Sequence, residues 1–378
     1  MTPRPRGAAG ARRLAAAAAI AAACSTPASD VRVGPRPAIA AGAGPAPAPA
    51  AVRPPGYLKG QLHLHSSNSP DCDTLPRDVI ASYAALGFDF IVFTDHNYTT
   101  EVVYDTGDLL VLTGVELTTN LDTCEPPPEP GMYCRFHVNA LAVRRPAPGY
   151  PPWDVDNDDL VDVTRVGVYQ RHLDAAARLG GIAMLNHPTW YWGVDGALLA
   201  DLAGRGMRLV EIANRGFPAW NVGDDRHPGA EQVWDDALSR GAVVWAVASD
   251  DAHHYTEAEI RARIAAGRQP YPPGLGWVMV RADKDEASIR DALARGAFYS
   301  TTGPLLAEAG PAGGALRVRV FGGEPMTIRF VGPGGVTLSE EFAGAAAYPV
   351  DAVPAGGYVR AVVEDRAGRR AWTQPVRP

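Results

Sequence analysis

The chain has 378 residues, with 42 acidic against 35 basic side chains and a formal net charge of −7. That length carries one large domain plus a smaller one, which excludes a disulfide-stapled miniprotein, and 46% apolar content is that of a globular protein rather than a low-complexity chain. The acidic balance argues against a polyanion-binding groove, so no nucleic-acid partner is expected.

Arg4, Arg6, Arg12 and Arg13 precede an apolar run from Leu14 to Ala23. A charged segment followed by a short apolar one predicts an export signal over residues 1–24, too short to span a bilayer. Ala21-Ala22-Ala23-Cys24 resembles a lipobox, with Ala21 standing where such boxes usually carry Leu. The expectation is lipidation of Cys24 and a chain anchored outside the cytoplasmic membrane; cleavage at an Ala-x-Ala site without lipid is the alternative. Membrane contact is expected only through that lipid. Residues 25–55 are rich in Ala, Pro and Gly without amphipathic period, and read as a tether.

Between residues 56 and 303 short apolar runs alternate with helical stretches. Gln61 to His65, Phe88 to Thr94, Leu109 to Leu117, Arg135 to Val143, Gly181 to Asn186, Met207 to Ile212, Ala242 to Ala248 and Trp277 to Arg281 read as buried strands. Helices are expected over Leu75 to Leu86, Gln170 to Leu179, Glu231 to Arg240 and Asp285 to Arg295, each followed by glycine. This alternation predicts an α/β fold, either a barrel or a doubly wound sheet. Residues 304–378 carry short strands between Gly, Pro and Asp turns and no helical period, which predicts a small C-terminal all-β, sandwich-like module. Cys124 and Cys134 bracket a Pro-rich loop and suit a local disulfide in an oxidising compartment; Cys72 is either a buried thiol or a competitor for one of them.

The chemistry gathers at strand ends. His63 and His65 flank Leu64, and a period of two points both imidazoles to one side. Asp95 and His96 end the second strand, Glu116 the third and His187 the fifth; His137 lies in the fourth, and Asp251 and His253 follow the seventh. Six of the nine histidines occupy these places. A single strand-end histidine is usually a hydrogen-bonded core residue, but six with carboxylate neighbours point to metal binding. Mixed imidazole and carboxylate ligands suit Zn, Mn or Fe rather than calcium. Trp190 and Trp192 follow His187 and could wall a substrate pocket. Arg215 and Arg226 are candidate phosphate or carboxylate clamps. Asp95, Asp250 and Glu211 could instead orient the imidazoles by hydrogen bonding.

HLHSSNSPD, FTDHN, GVE, RFHVNAL, LNHP and SDDAH, in that order, resemble the PHP (polymerase and histidinol phosphatase) domain. The segment GWVMVRADKDEASIRDALARGAFYSTTGPL and the terminal β module are similar to its CehA/McbA metallohydrolase branch. The resemblance implies a distorted, TIM-like (β/α)7-type barrel holding two to three divalent metal ions. It implies that His63, His65, Glu116 and Asp251 hold one ion, that Glu116 bridges to a second completed by His137 and His187, and that Asp71, His96 and His253 hold the third. Asp71 stands where some members carry His. Glu116, Asp251 and His253 are expected to serve catalysis as well as ligation. The implied activity is hydrolysis of a phosphoester, carboxyl ester or carbamate of a small molecule by water activated between metals. A non-catalytic metal- or glycan-binding lipoprotein and a PHP-type nuclease or phosphodiesterase are the alternatives. An amidohydrolase with a carbamylated lysine is disfavoured, because the two lysines, Lys59 and Lys284, do not fall at strand ends.

Overall fold

The computed structural model describes residues 53–144 and 160–378. The expected signal segment, Cys24 and nearly all of the tether lie outside these residues. Within them run β1 (Leu58–Gln61), α1 (Pro76–Ala85), β2 (Phe90–Phe93), β3 (Leu110–Thr113), β4 (Val115–Leu121), β5 (Cys134–Leu141), α2 (Arg165–Arg178), β6 (Ile182–Leu185), α3 (Gly196–Arg205), β7 (Leu209–Asn214), α4 (Pro218–Val222), α5 (Ala230–Ser239), β8 (Trp245–Ser249), α6 (Glu257–Ala265), β9 (Trp277–Val280), α7 (Glu286–Ala294) and β10 (Phe298–Thr301). Then follow β11 (Leu306–Ala312), β12 (Ala315–Val320), β13 (Met326–Gly332), β14 (Val336–Ala343), β15 (Ala345–Pro349), β16 (Arg360–Glu364) and β17 (Arg370–Thr373). Among the described residues no helix is long and apolar enough to cross a membrane.

Local signals place the helices. Thr164, Asp195 and Asp285 accept hydrogen bonds from backbone N–H groups of the first turns of α2, α3 and α7, and Thr256 forms a capping box with Glu259 at α6. The Thr164 cap starts α2 at Arg165, earlier than the apolar spacing from Gln170 suggests. Helices α3 and α6 were not expected from periodicity; α6 buries no residue, so it has no apolar stripe to read.

The expected strand from Leu109 to Leu117 is two strands hinged at Gly114. A Cβ there would lie 2.8 Å from the Phe93 carbonyl and 2.9 Å from that of Ala140, so only glycine lets these backbones approach. The break transfers the chain between sheets. One sheet has nine strands in the order β14-β13-β16-β17-β10-β9-β1-β2-β3, a second has five in the order β4-β5-β6-β7-β8, and a third joins β11, β12 and β15. Pairing is parallel for β1 with β2, β2 with β3, β6 with β7 and β7 with β8. It is antiparallel for β4 with β5, β5 with β6 and β1 with β9. A uniform strand–helix alternation is therefore interrupted: β4 runs to β5 through the loop closed by the Cys124–Cys134 disulfide. Cys72 is a buried free thiol, its pKa pushed up to about 12, chiefly by burial.

Two backbone seams join the larger sheets. Leu64 bridges Ala252 in parallel, with Asp251 N–H donating to the His63 carbonyl at 3.1 Å and His65 N–H to that of Ala252 at 3.0 Å. His96 likewise bridges Glu116. The ends of β1, β2, β4 and β8 thus converge where the candidate ligands lie.

The terminal strands differ from the expected separate sandwich. β17 pairs antiparallel with β10, so β13, β14, β16 and β17 extend the sheet that contains β1. The three-stranded sheet shares with it a core that includes Tyr299, Leu316, Val318, Ile328 and Phe330.

Candidate metal centre

All nine expected ligands come together. His63 and His65 continue the line of β1 beyond its last paired residue, Asp71 sits on the loop before α1, and His96 follows β2. Glu116 and His137 lie on β4 and β5, His187 follows β6, and Asp251 and His253 follow β8. His187 and Asp251 adopt left-handed backbone conformations, φ 26° and 52°. Such conformations are costly for residues with a Cβ and concentrate where a side chain must be aimed.

Nε2 of His63 and Nε2 of His65 are 3.2 Å apart, and each is 3.2 Å from Oδ1 of Asp251. Ligand atoms about 2.0 to 2.1 Å from a tetrahedral ion stand roughly 3.3 Å from one another, so this triangle has the dimensions of three corners of a coordination shell. Glu116 lies at the junction of five imidazoles. Its Oε2 is 3.5, 3.4 and 3.0 Å from His63, His65 and His96, and its Oε1 is 3.0 and 3.6 Å from His137 and His187. Asp71 Oδ2 stands 3.3 Å from His96 Nε2 and 3.2 Å from His253 Nε2.

Among the described residues, further overlapping sets of donor atoms are compact enough for an ion: His65, Asp71, His96 and His253; His63, His65 and Glu116; His96, Glu116 and His137. These sets share His65, His96 and Glu116. The carried-over partition assigns His65 and His96 to one ion each and gives His187 to the Glu116 and His137 set, so the two groupings differ in those members. The residues fit divalent cations on a second ground. Glu116 Oε2 and Asp71 Oδ1 are buried without a hydrogen-bond partner, which is costly for carboxylate oxygens unless a cation approaches. Burial opposes ionisation of Glu116, but the imidazoles of His96, His63 and His137 overcome it and hold the carboxyl well below its ordinary value.

Around the ligands lies a shell of fixed partners. Glu211 accepts from His63 Nδ1 and from the His187 N–H, both at 2.7 Å, and from Asn214 Nδ2 at 2.8 Å. Asn186 Nδ2 donates to Glu116 Oε1 at 2.7 Å, and Ser69 Oγ is 2.9 Å from His65 Nδ1. Asp95 and Asp250 do not orient imidazoles. Asp95 binds the backbone and hydroxyl of Ser66 and the hydroxyl of Thr100; Asp250 accepts from Gln61, Tyr83 and the N–H groups of Gly274, Leu275 and Gly276. Both carboxylates pin loops beneath the centre.

A cleft of about 310 Å³ opens over the ligands. Trp190 lines it, packed edge-on to His187 at 5.0 Å. Trp192 does not: left-handed conformations at Tyr191 and Trp192 reverse the chain, and Trp192 stacks on His227 at 4.3 Å instead. Arg215 is also displaced, lining a separate cleft with Arg360 and Arg370, and Arg226 is exposed. In their places the structure brings Phe217, His254, Arg263 and Tyr271 to the metal cleft. Phe217, His254 and Tyr271 lie on connecting segments and Arg263 on α6, which has no apolar stripe, so none of the four carries a periodic signal.

No family model matches the chain, and no curated protein does. Among solved structures, a two-domain protein from Bacteroides vulgatus containing a predicted PHP-like metal-dependent phosphoesterase aligns with TM-score 0.43 and 17% identity, covering 83% of this chain and 92% of that one. An amidohydrolase from Chromobacterium violaceum, with bound sulfate and no metal, aligns with TM-score 0.33 and 14% identity, covering 51% of this chain and 87% of that one. Both likenesses are distant, and the functional reading rests on the geometry of the site.

Proposed function

We propose that the protein is a metal-dependent hydrolase that cleaves a phosphoester or a carboxyl ester or carbamate of a small molecule. The observation that carries this reading is Glu116: one buried carboxylate within 3.6 Å of five imidazole nitrogens, with an oxygen that no hydrogen bond satisfies. A site that only stabilises a fold needs about four ligands and closes around one ion, whereas this one gathers nine side chains beneath an open cleft.

His63, His65 and Asp251 would hold one cation, with Glu116 shared toward His137 and His187, and Asp71, His96 and His253 would hold another. Two to three divalent cations, Zn, Mn or Fe, would supply a nucleophile from water at neutral pH and neutralise charge developing on the attacked group. The protein's own contribution is orientation and exclusion of water. Glu211 fixes His63, Asn186 fixes Glu116, and Trp190 with Phe217 forms an apolar wall beside His187. The ordered motifs, which resemble the PHP domain and its CehA/McbA branch, support the same chemistry. An exported, lipid-tethered chain is proposed with it, from the charged and apolar N-terminus and Cys24.

Elemental analysis of the purified protein, beside hydrolysis of chromogenic phosphomonoesters, phosphodiesters, carboxyl esters and carbamates with and without chelator, tests the reading. About two to three ions per chain and chelator-sensitive turnover of one bond type are expected. Protein that holds metal yet hydrolyses none of these would overturn it in favour of a metal-binding role.

A further inference from the structure

We infer that Arg263 makes the cleft selective for substrates that carry an oxyanion, with the apolar body of the molecule against Trp190 and Phe217. The inference deepens the hydrolytic reading and rests on it for the word substrate. Arg263 lies on α6, half-buried, and lines the same cleft as Asp71, Glu116, His187 and His253. Its Nε donates to the Gln269 carbonyl at 3.3 Å, and its guanidinium carbon stands 5.6 Å from the centre of the Tyr271 ring. Among the described residues no carboxylate lies within ion-pair distance of it, although Arg261 on the same helix pairs with Glu257 at 2.7 Å. The carboxylates that face the cleft, Asp71, Glu116 and Asp251, are all turned to imidazoles. A half-buried guanidinium whose two terminal nitrogens have no fixed anion is a ready site for a carboxylate or phosphate.

The position of Arg263 is fixed relative to the metal ligands. The Tyr271 carbonyl accepts from the His253 N–H at 2.9 Å and the His254 N–H at 3.1 Å, and its ring lies 5.6 Å from that of His253. Gln269, whose carbonyl holds Arg263, also donates through Nε2 to the Gly216 carbonyl at 3.0 Å, tying this rim to the segment that carries Phe217. The Phe217 ring lies 5.9 Å from that of Tyr271 and 4.8 Å from that of Trp190, which continues the aromatic lining. Cation, ligand set and aromatic wall therefore belong to one pre-organised cleft.

The oxyanion has two sources: the scissile phosphoryl group, or a carboxylate remote from the scissile ester. Kinetics on metal-loaded protein separate them, using 4-nitrophenyl phosphate, 4-acetoxybenzoate and neutral phenyl acetate. Tryptophan fluorescence reads the binding of benzoate and phenylphosphonate without turnover. Arg263→Gln should weaken the binding of at least one of these two anions, and lower kcat/KM for the matching anionic substrate, by about 10- to 100-fold, with phenyl acetate changed less than about twofold. Arg263→Lys should recover part of the loss. Equal effects on charged and neutral substrates, or equal anion binding by the wild type and Arg263→Gln, would overturn the inference while leaving the hydrolase reading intact. Arg263-dependent anion binding without hydrolysis of any ester would sustain the anion site and overturn the hydrolase reading instead.

Discussion

Glu211 accepts a 2.7 Å hydrogen bond from Nδ1 of His63, and neither side chain is exposed to solvent. With Nδ1 donating to Glu211, a neutral His63 ring would present the lone pair of Nε2 toward His65 and Asp251, as binding of a cation requires. Glu211 thus acts through His63 rather than on substrate. Glu211→Gln should weaken metal binding by about 10- to 100-fold with secondary structure retained. Titration against a competing chelator, beside circular dichroism, measures both. Unchanged affinity would remove Glu211 from this role.

Glu116→Gln keeps the shape of the junction and removes its charge. Metal content should fall by at least one ion per chain and turnover by at least about 100-fold, whereas the far-ultraviolet spectrum should be unchanged. His63→Ala should behave alike. Full activity of Glu116→Gln would exclude a mechanism that runs through this carboxylate.

Arg360 on β16 is 1% exposed and joins α5 by three short bonds, to both oxygens of Asp235 at 2.7 and 2.6 Å and to Glu231 at 2.8 Å. Arg360→Ala would strand Asp235 among buried groups and should cost about 3 to 5 kcal/mol. Arg360→Met combined with Asp235→Leu should regain much of that loss. Urea denaturation of the single and double variants decides; equal losses in both would mean that the packing of Arg360, not its charge, holds the contact.

His172 carries a pH dependence that is independent of catalysis. Burial, with smaller contributions from His137 and Arg171, lowers its pKa to about 3. An unfolded chain protonates this ring near the ordinary value of about 6.5. The folded-state pKa is therefore depressed, so the stability tied to the neutral ring is whole above about 6.5 and is lost as pH falls toward 3, at up to about 1.4 kcal/mol per pH unit. Denaturation series at pH 7, 6, 5 and 4 should show a steeper decline for the wild type than for His172→Gln. Parallel declines would refute it. His172 lies on α2 away from the candidate ligands' strand ends, and its burial and its 3.1 Å approach to Thr119 Oγ1 make it structural.

His63 and His65 were legible as candidate ligands because their spacing follows strand geometry, whereas Asp71 entered only through the resemblance. His63 and His65 are two residues apart on an extended segment, and their meeting at Asp251 needs only that β1 and β8 end side by side. The loops were less legible. Nothing in the run from Trp190 to Trp192 shows that a left-handed turn sends its second tryptophan away from the cleft. Arg215 and Arg263 look equivalent in a chain rich in arginine, and only the tertiary path of the segments after β7 and β8 exchanges their places. The split at Gly114 was hidden for a related reason: an apolar run shows burial, not the sheet in which each half is buried.

The pairing of β1 with β9, and through β10 with β17, orders events during synthesis. β1 is made well before β9, which covers its second flank, and β10, the outer neighbour of β9, is paired on its other side by the still later β17. Until then the nascent sheet presents open hydrogen-bonding edges, a state that favours chaperone capture or misassociation. A chain cut before residue 304 would carry every candidate ligand and still leave β10 with such an edge. Strands that contribute none of the candidate ligands therefore close the sheet on which β1 lies.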